Sequence, residues 1–288
     1  MSRNRQALRI LWLAGLLLAV FELVVRVPPW HAELAESNFQ SNLIRVQRVL
    51  FDSPPRAVIA GSSLSGRLLP SYFNGTPLAP LDSLGLDGLS ASFALDLILK
   101  RPPSVVIIEV NTLLTPVNQH NGELVDAAIH SYLFRLSRYL HVLRAQSRPA
   151  SMLYSWLKAR SRKRANTTAS VPSIPPPGPV HSAQLPIDRA SDGGLRDRLR
   201  AQIQILRDHD CRIVLMRLPD GGRAVWSSIP SFSFGDDLAR EFNLVQIDVE
   251  VECSRRGHPV SYSDGMHLTA GSAREASQLL AEQLAPAP

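Results

Sequence analysis

Four short runs, Ala57–Ala60, Val105–Val110, Arg212–Leu218 and Leu244–Val249, carry apolar residues at successive positions rather than only at alternate ones. A strand that buries both faces must sit inside a sheet covered on two sides, and such sheets are parallel, with helices forming the crossovers. The intervening sequence agrees: Leu89–Leu99, Leu195–Asp208 and Ala270–Leu284 have helical apolar spacing, and a weaker strand falls around Leu78–Leu84. The alternation predicts an α/β fold, a three-layer α/β/α sandwich around a mostly parallel sheet. A chain of 288 residues that is 45% apolar has enough material for its core.

The N-terminus follows different rules. Ile10 to Phe21 is uninterrupted by charge, and Leu23 to Val27 extends it past Glu22 and Arg26. This is near the lower limit for crossing a bilayer. Arg3, Arg5 and Arg9 precede it, which places residues 1–9 in the cytoplasm and residues 10–27 as a single-pass inner-membrane anchor. Glu22 and Arg26 lie one helical turn apart and can pair near the outer interface. A cleaved signal peptide is the alternative reading of so short a run. Beyond Pro28-Pro29, residues 28–55 read as a juxtamembrane helix, and residues 56–285 as a domain on the periplasmic or extracellular side.

A long excursion, about residues 115–190, interrupts that domain. Ile129, Leu133, Leu136, Leu140 and Leu143 form a helical stripe, expected to pack on the main domain, with a dedicated partner surface as the alternative, and Pro149 splits the segment. Residues 166–186 contain Pro175-Pro176-Pro177-Gly178-Pro179 and read as an irregular connection, making the whole a helical and Pro-rich insertion, a subdomain or lid. Lys158, Arg160, Arg162, Lys163 and Arg164 form its basic run, either solvated or facing an anionic glycan or the membrane surface. The net charge of +6 draws on the N-terminal arginines, and no nucleic-acid module accompanies it. Cys211 begins one strand and Cys253 lies beyond the end of the next, opposite edges of a parallel pair, so a disulfide would need the intervening loop to double back.

Two segments carry chemistry. Gly61-Ser62-Ser63-Leu64-Ser65 directly follows a buried strand, and Asp264-Gly265-Met266-His267 directly precedes the last helix. Serine becomes a nucleophile when an imidazole takes its proton, and the imidazole works best when a carboxylate fixes its tautomer. Ser63, His267 and Asp264 are those residue types at the edges of strands and helices.

With these residues in view, the chain resembles the SGNH, or GDSL-like, hydrolase superfamily. The resemblance covers about Arg56 to Ala285 without the insertion. The family's first block, Gly-Asp-Ser-x-Ser, stands here with Ser62 in place of the aspartate, and its Asp-x-x-His block is Asp264 to His267. The resemblance implies a flavodoxin-like strand order 2-1-3-4-5 and a catalytic trio of Ser63, His267 and Asp264. It also implies an oxyanion hole from the N–H groups of Ser63 and Gly88 (Gly85 as the fallback) and the side chain of Asn111. Of the third block, Gly-x-Asn-Asp, only the asparagine survives in Glu109-Val110-Asn111-Thr112. Anchored members of this layout act on cell-envelope glycans. The implied activity is a serine acyltransferase or esterase on a polysaccharide, without metal or organic cofactor, working with an acyl donor protein or membrane acyltransferase. A catalytically silent scaffold in a polysaccharide-modification complex is the second reading.

Overall fold

The computed structural model describes residues 3–26, 35–86, 89–114, 119–167, 189–221 and 225–285. They group into two compact units, one from residues 1–47 and 123–172, the other from residues 48–122 and 173–288. The Pro-rich connection at 175–179 lies outside the described residues.

The chain opens with α1 (Arg3–Val25) and α2 (Asn38–Phe51), then β1 (Ala57–Gly61), β2 (Leu81–Gly85), α3 (Ala91–Ile98) and β3 (Val105–Glu109). The excursion supplies α4 (Gln119–His130), α5 (Tyr132–Leu136) and α6 (Pro149–Thr167). The domain resumes with α7 (Arg189–Asp208), β4 (Arg212–Arg217), α8 (Val225–Phe242), β5 (Val245–Asp248), α9 (Val249–Arg255) and α10 (Ala270–Gln283).

In the second unit the five strands form one parallel sheet in the order β2-β1-β3-β4-β5. This is the expected order. Alternate strand residues serve opposite layers: Ile59, Ile107, Val214, Met216 and Ile247 join one buried cluster with Val249 and Cys253 of α9 and Ala276 and Leu280 of α10. On the other face α3 packs against β1, β2 and α7. There Arg196 and Arg200 of α7 stack on the ring of Phe234 in α8. The result is a three-layer α/β/α sandwich. The chain leaves β1 toward one edge of the sheet and β3 toward the other, so the carboxyl ends of β1 and β3 flank a topological switch point, where open sheets of this kind hold their ligands.

Two helices, α8 and α9, lie where the sequence alone locates none. The chain after β5 continues directly into α9, whose N-cap Asp248 accepts a hydrogen bond from Val251 N–H. Val249, the expected end of the last strand, and Val251 are β-branched and favour extended backbone, but the cap turns the backbone into a helix. α8 fills the connection between β4 and β5. Both cysteines are free and buried, and Cys211 donates to Pro103 O. Burial raises both thiols, so neither is poised as a thiolate.

In the first unit, residues Gln6–Val25 of α1 form a helix long and apolar enough to cross a membrane, with mean hydropathy 2.3. Arg26 Nε donates to Glu22 Oε1 at 2.9 Å, the expected pair. The leucine stripe divides among α4, α5 and a 3₁₀ turn at His141–Leu143, because Ser131 caps a new helix by accepting from Phe134 N–H. Leu133 and Leu140 are exposed rather than packed in a core.

Candidate active site

The first half of the site is the turn after β1. Ser63 stands two residues beyond the strand, followed by a single 3₁₀ turn, Ser65–Arg67, in place of a longer helix. What shapes this turn is Glu109, at the end of the neighbouring strand β3 and fully buried. Its Oε2 accepts from Ser62 N–H at 2.9 Å and Ser65 N–H at 3.1 Å, and its Oε1 accepts from Ser62 Oγ at 2.7 Å and Thr112 Oγ1 at 3.2 Å. One carboxylate thus holds the backbone on both sides of Ser63. The approach is so close that a Cβ on Gly61 would lie 2.5 Å from Glu109 Oε2, which is why the strand ends in glycine.

The second half is the loop before α10. Tyr262 and Leu268 form an antiparallel bridge, and Ser263 N–H donates to His267 O at 2.8 Å, closing a tight loop that carries Asp264 and His267. Thr269 caps α10 by accepting from Ser272 N–H, so His267 emerges two residues ahead of a fixed helix start. The loop after β4 supports it from behind: Gly221 has φ +66°, and a Cβ there would meet Gly265 O at 2.0 Å.

These halves meet. His267 Nε2 lies 3.1 Å from Ser63 Oγ, and His267 Nδ1 lies 2.7 Å from Asp264 Oδ2. Asp264 Oδ1 also accepts from the N–H groups of Met266 at 3.1 Å and His267 at 2.8 Å, fixing the carboxylate plane. Partial burial pushes the Asp264 carboxyl up, but the hydrogen bonds from His267 N–H, the imidazole and Met266 N–H together outweigh it and hold it down at about 2. With the carboxylate on Nδ1, the proton of a neutral imidazole resides there, leaving Nε2 as the acceptor facing the serine hydroxyl. Serine, histidine and aspartate in this order can transfer an acyl group through a covalent serine ester.

The oxyanion donors are less uniform. Ser63 N–H belongs to the turn itself, and Gly88 lies outside the described residues. Asn111 is buried and exchanges hydrogen bonds with the main chain of Leu218: its Nδ2 donates to Leu218 O at 2.7 Å and its Oδ1 accepts from Leu218 N–H at 2.9 Å. One of the two N–H groups of its amide is therefore committed to joining the ends of β3 and β4. Gly85, the fallback, is the last residue of β2, and its N–H donates to Ser83 Oγ at 3.2 Å.

Glu109 is the residue whose role the sequence reading missed. The signal was present in two departures taken separately: a carboxylate absent at position 62, and a carboxylate ending an otherwise apolar strand two residues before Asn111. Parallel register makes the ends of β1 and β3 neighbours, so the two departures compensate each other in space.

No family model matches the chain, and no curated protein matches it. Among solved structures, the crystal structure of a candidate acylhydrolase from Bacteroides fragilis is similar at 12% identity, covering 81% of this chain and 88% of that one with a TM-score of 0.39.

Proposed function

We propose that the protein is a serine acyltransferase or esterase anchored in the inner membrane, acting outside the cytoplasm on a cell-envelope or exported polysaccharide. The observation that carries the chemistry is the continuous relay from Ser63 Oγ through His267 to Asp264. Ser63 Oγ attacks the acyl carbonyl while Nε2 takes its proton. The oxyanion meets Ser63 N–H, with Gly88 N–H and the remaining N–H of the Asn111 amide as further donors. Collapse expels the leaving oxygen or sulfur, which takes the proton back from His267, and leaves an ester on Ser63. A sugar hydroxyl or water, deprotonated by Nε2, then attacks that ester and regenerates the serine. Every proton and electron pair in the cycle is handled by side chains of this chain and by the two substrates.

The location rests on α1, long and apolar enough to span a bilayer, and on Arg3, Arg5 and Arg9 before it. With the domain on that side, a polysaccharide hydroxyl is the acceptor we propose. An acyl donor protein or membrane acyltransferase would supply the acyl group in a transfer reaction. The observation favouring a silent scaffold is the exchange between Asn111 and Leu218, which withdraws one donor from any substrate oxygen. Turnover separates the two readings. Purified full-length protein should hydrolyse a small activated acyl ester, or move its acyl group to an oligosaccharide, and Ser63→Ala should do neither. Equal rates with and without Ser63 would remove the covalent mechanism.

A further inference from the structure

Beside its buried residues such as Ile44, Val46 and Val125, the first unit carries an exposed apolar face outside α1. Along α6, Leu153, Trp156 and Leu157 fall at i, i+3 and i+4 on one face and are 57%, 54% and 52% exposed, whereas Ser151 on the opposite face is fully buried and donates to Glu36. α5 and the residues after it repeat the pattern: Tyr132, Leu133 and Tyr139 are exposed, and Ser137 is buried, accepting from Gln47 Nε2 at 2.9 Å. Of the eleven exposed large apolar side chains outside α1 among the described residues, seven belong to this segment and an eighth, Leu124, to α4 just before it. A helix of a water-soluble protein turns its apolar stripe inward, so a face of the reverse kind calls for an apolar cover.

The unit itself indicates the cover. The last turn of the helix fit to cross a membrane is tied to the segment that carries this face. Glu22 accepts from the N–H groups of His141 at 2.9 Å and Val142 at 2.8 Å, and Arg26 donates to Tyr139 O at 3.3 Å. Glu22 lies within one turn of the end of α1, a rise of about 5 Å, so Tyr139 to Val142 are held at the level where the span leaves the hydrocarbon. The side chains suit that level. Tyrosine and tryptophan concentrate at the membrane–water boundary, and here guanidinium groups lie over their rings, Arg138 over Tyr139 at 5.9 Å and Arg160 over Trp156 at 5.0 Å. Cations beside an apolar face match the anionic headgroups above acyl chains.

We infer that the outward face of α5 and α6 lies in the headgroup boundary of the same bilayer that α1 crosses, with phospholipid as its occupant. This rests on the membrane-crossing part of the proposed function and is independent of the serine chemistry. The first unit is then an interfacial platform as well as an anchor.

The test uses the full-length chain in vesicles of phosphatidylcholine and phosphatidylglycerol whose acyl chains carry bromine either near the headgroup or near the methyl end. The share of tryptophan emission due to Trp156 is read as the difference between wild type and Trp156→Phe, and that of Trp12 from Trp12→Phe. Both residues are exposed in the fold, so neither substitution opens a core. The expected result is loss of the Trp156 share with bromine near the headgroup and a smaller loss with bromine near the methyl end. Leu153→Glu combined with Leu157→Glu should restore that emission. A Trp156 share unaffected by either lipid, while the Trp12 share is quenched, would overturn the inference. If Trp12 also escapes quenching, the span itself falls, and the inference with it.

Discussion

Ser63 and His267 are both half-buried, placed by backbone turns rather than by core packing, so removing either takes away a reacting atom without opening a cavity. Ser63→Ala and His267→Ala should each lower kcat for a small acyl ester by roughly 10⁶-fold with melting temperatures little changed, and the double variant should be no worse, because the groups act as a unit. Additive losses in steady-state kinetics would contradict this. Asp264→Asn should cost less, roughly 10⁴-fold, since it presents an N–H where the imidazole needs an acceptor and so favours the wrong tautomer. The same residue makes a prediction about stability. Its carboxyl is depressed from 3.8 to about 2 in the fold, so the hydrogen bonds it accepts contribute fully above 3.8 and are lost as pH falls through about 2. The gap in melting temperature between wild type and Asp264→Asn should therefore narrow on acidification across that window. A gap independent of pH would mean that the carboxylate charge contributes nothing to holding the loop.

At the scale of elements, the turn that carries Ser63 depends on a strand it does not belong to. Glu109→Gln replaces one acceptor oxygen by a donor facing the N–H and O–H groups of residues 62, 65 and 112, leaving buried donors unsatisfied at about 1–3 kcal/mol each. Chemical denaturation should show that loss of stability, and kcat should fall more than KM rises, because the turn that aims Ser63 loosens. Glu109→Asp, which keeps the charge but shortens the reach, should fall between. Wild-type kcat in Glu109→Gln would show that Ser63 is aimed without this carboxylate. The strands themselves were legible: short apolar runs between helical stretches mark a covered parallel sheet, and four of them reappear within a residue or two of the expected ends, although the last, β5, is an edge strand with Val245 exposed. α9 was not, because Val249 and Val251 carry strand propensity and the deciding interaction is the hydrogen bond at its cap. Glu109 was hidden for a related reason. Its four partners come from the turn beside β1 and from its own strand end, and spacing along the chain does not reveal cross-strand neighbours until the register is known.

Across the whole molecule, the pairing of Ser63 with residues two hundred positions away was readable because the proposed nucleophile and base sit at punctuation points, the end of a strand and the start of a helix, that a parallel sheet gathers at one edge. The N-terminal unit was only half readable. The charge pair Glu22–Arg26 follows from helical spacing, but its further bonds to residues 139–142 bridge more than a hundred residues and carry no local signal. Likewise the leucine stripe looks from sequence like any buried face, and only the exposure of Leu133 and Leu140 distinguishes it. A membrane-impermeant fluorophosphonate joins site and topology in one measurement, because it must reach the serine from outside and react with it covalently. Applied to intact spheroplasts making the full-length chain, it should attach one phosphonyl group, mapped by peptide mass to Ser63, and it should leave Ser63→Ala and His267→Ala unlabelled. Wild-type protein that stays unlabelled even after the membranes are opened, while still folded, would contradict the claim that Ser63 is an activated nucleophile.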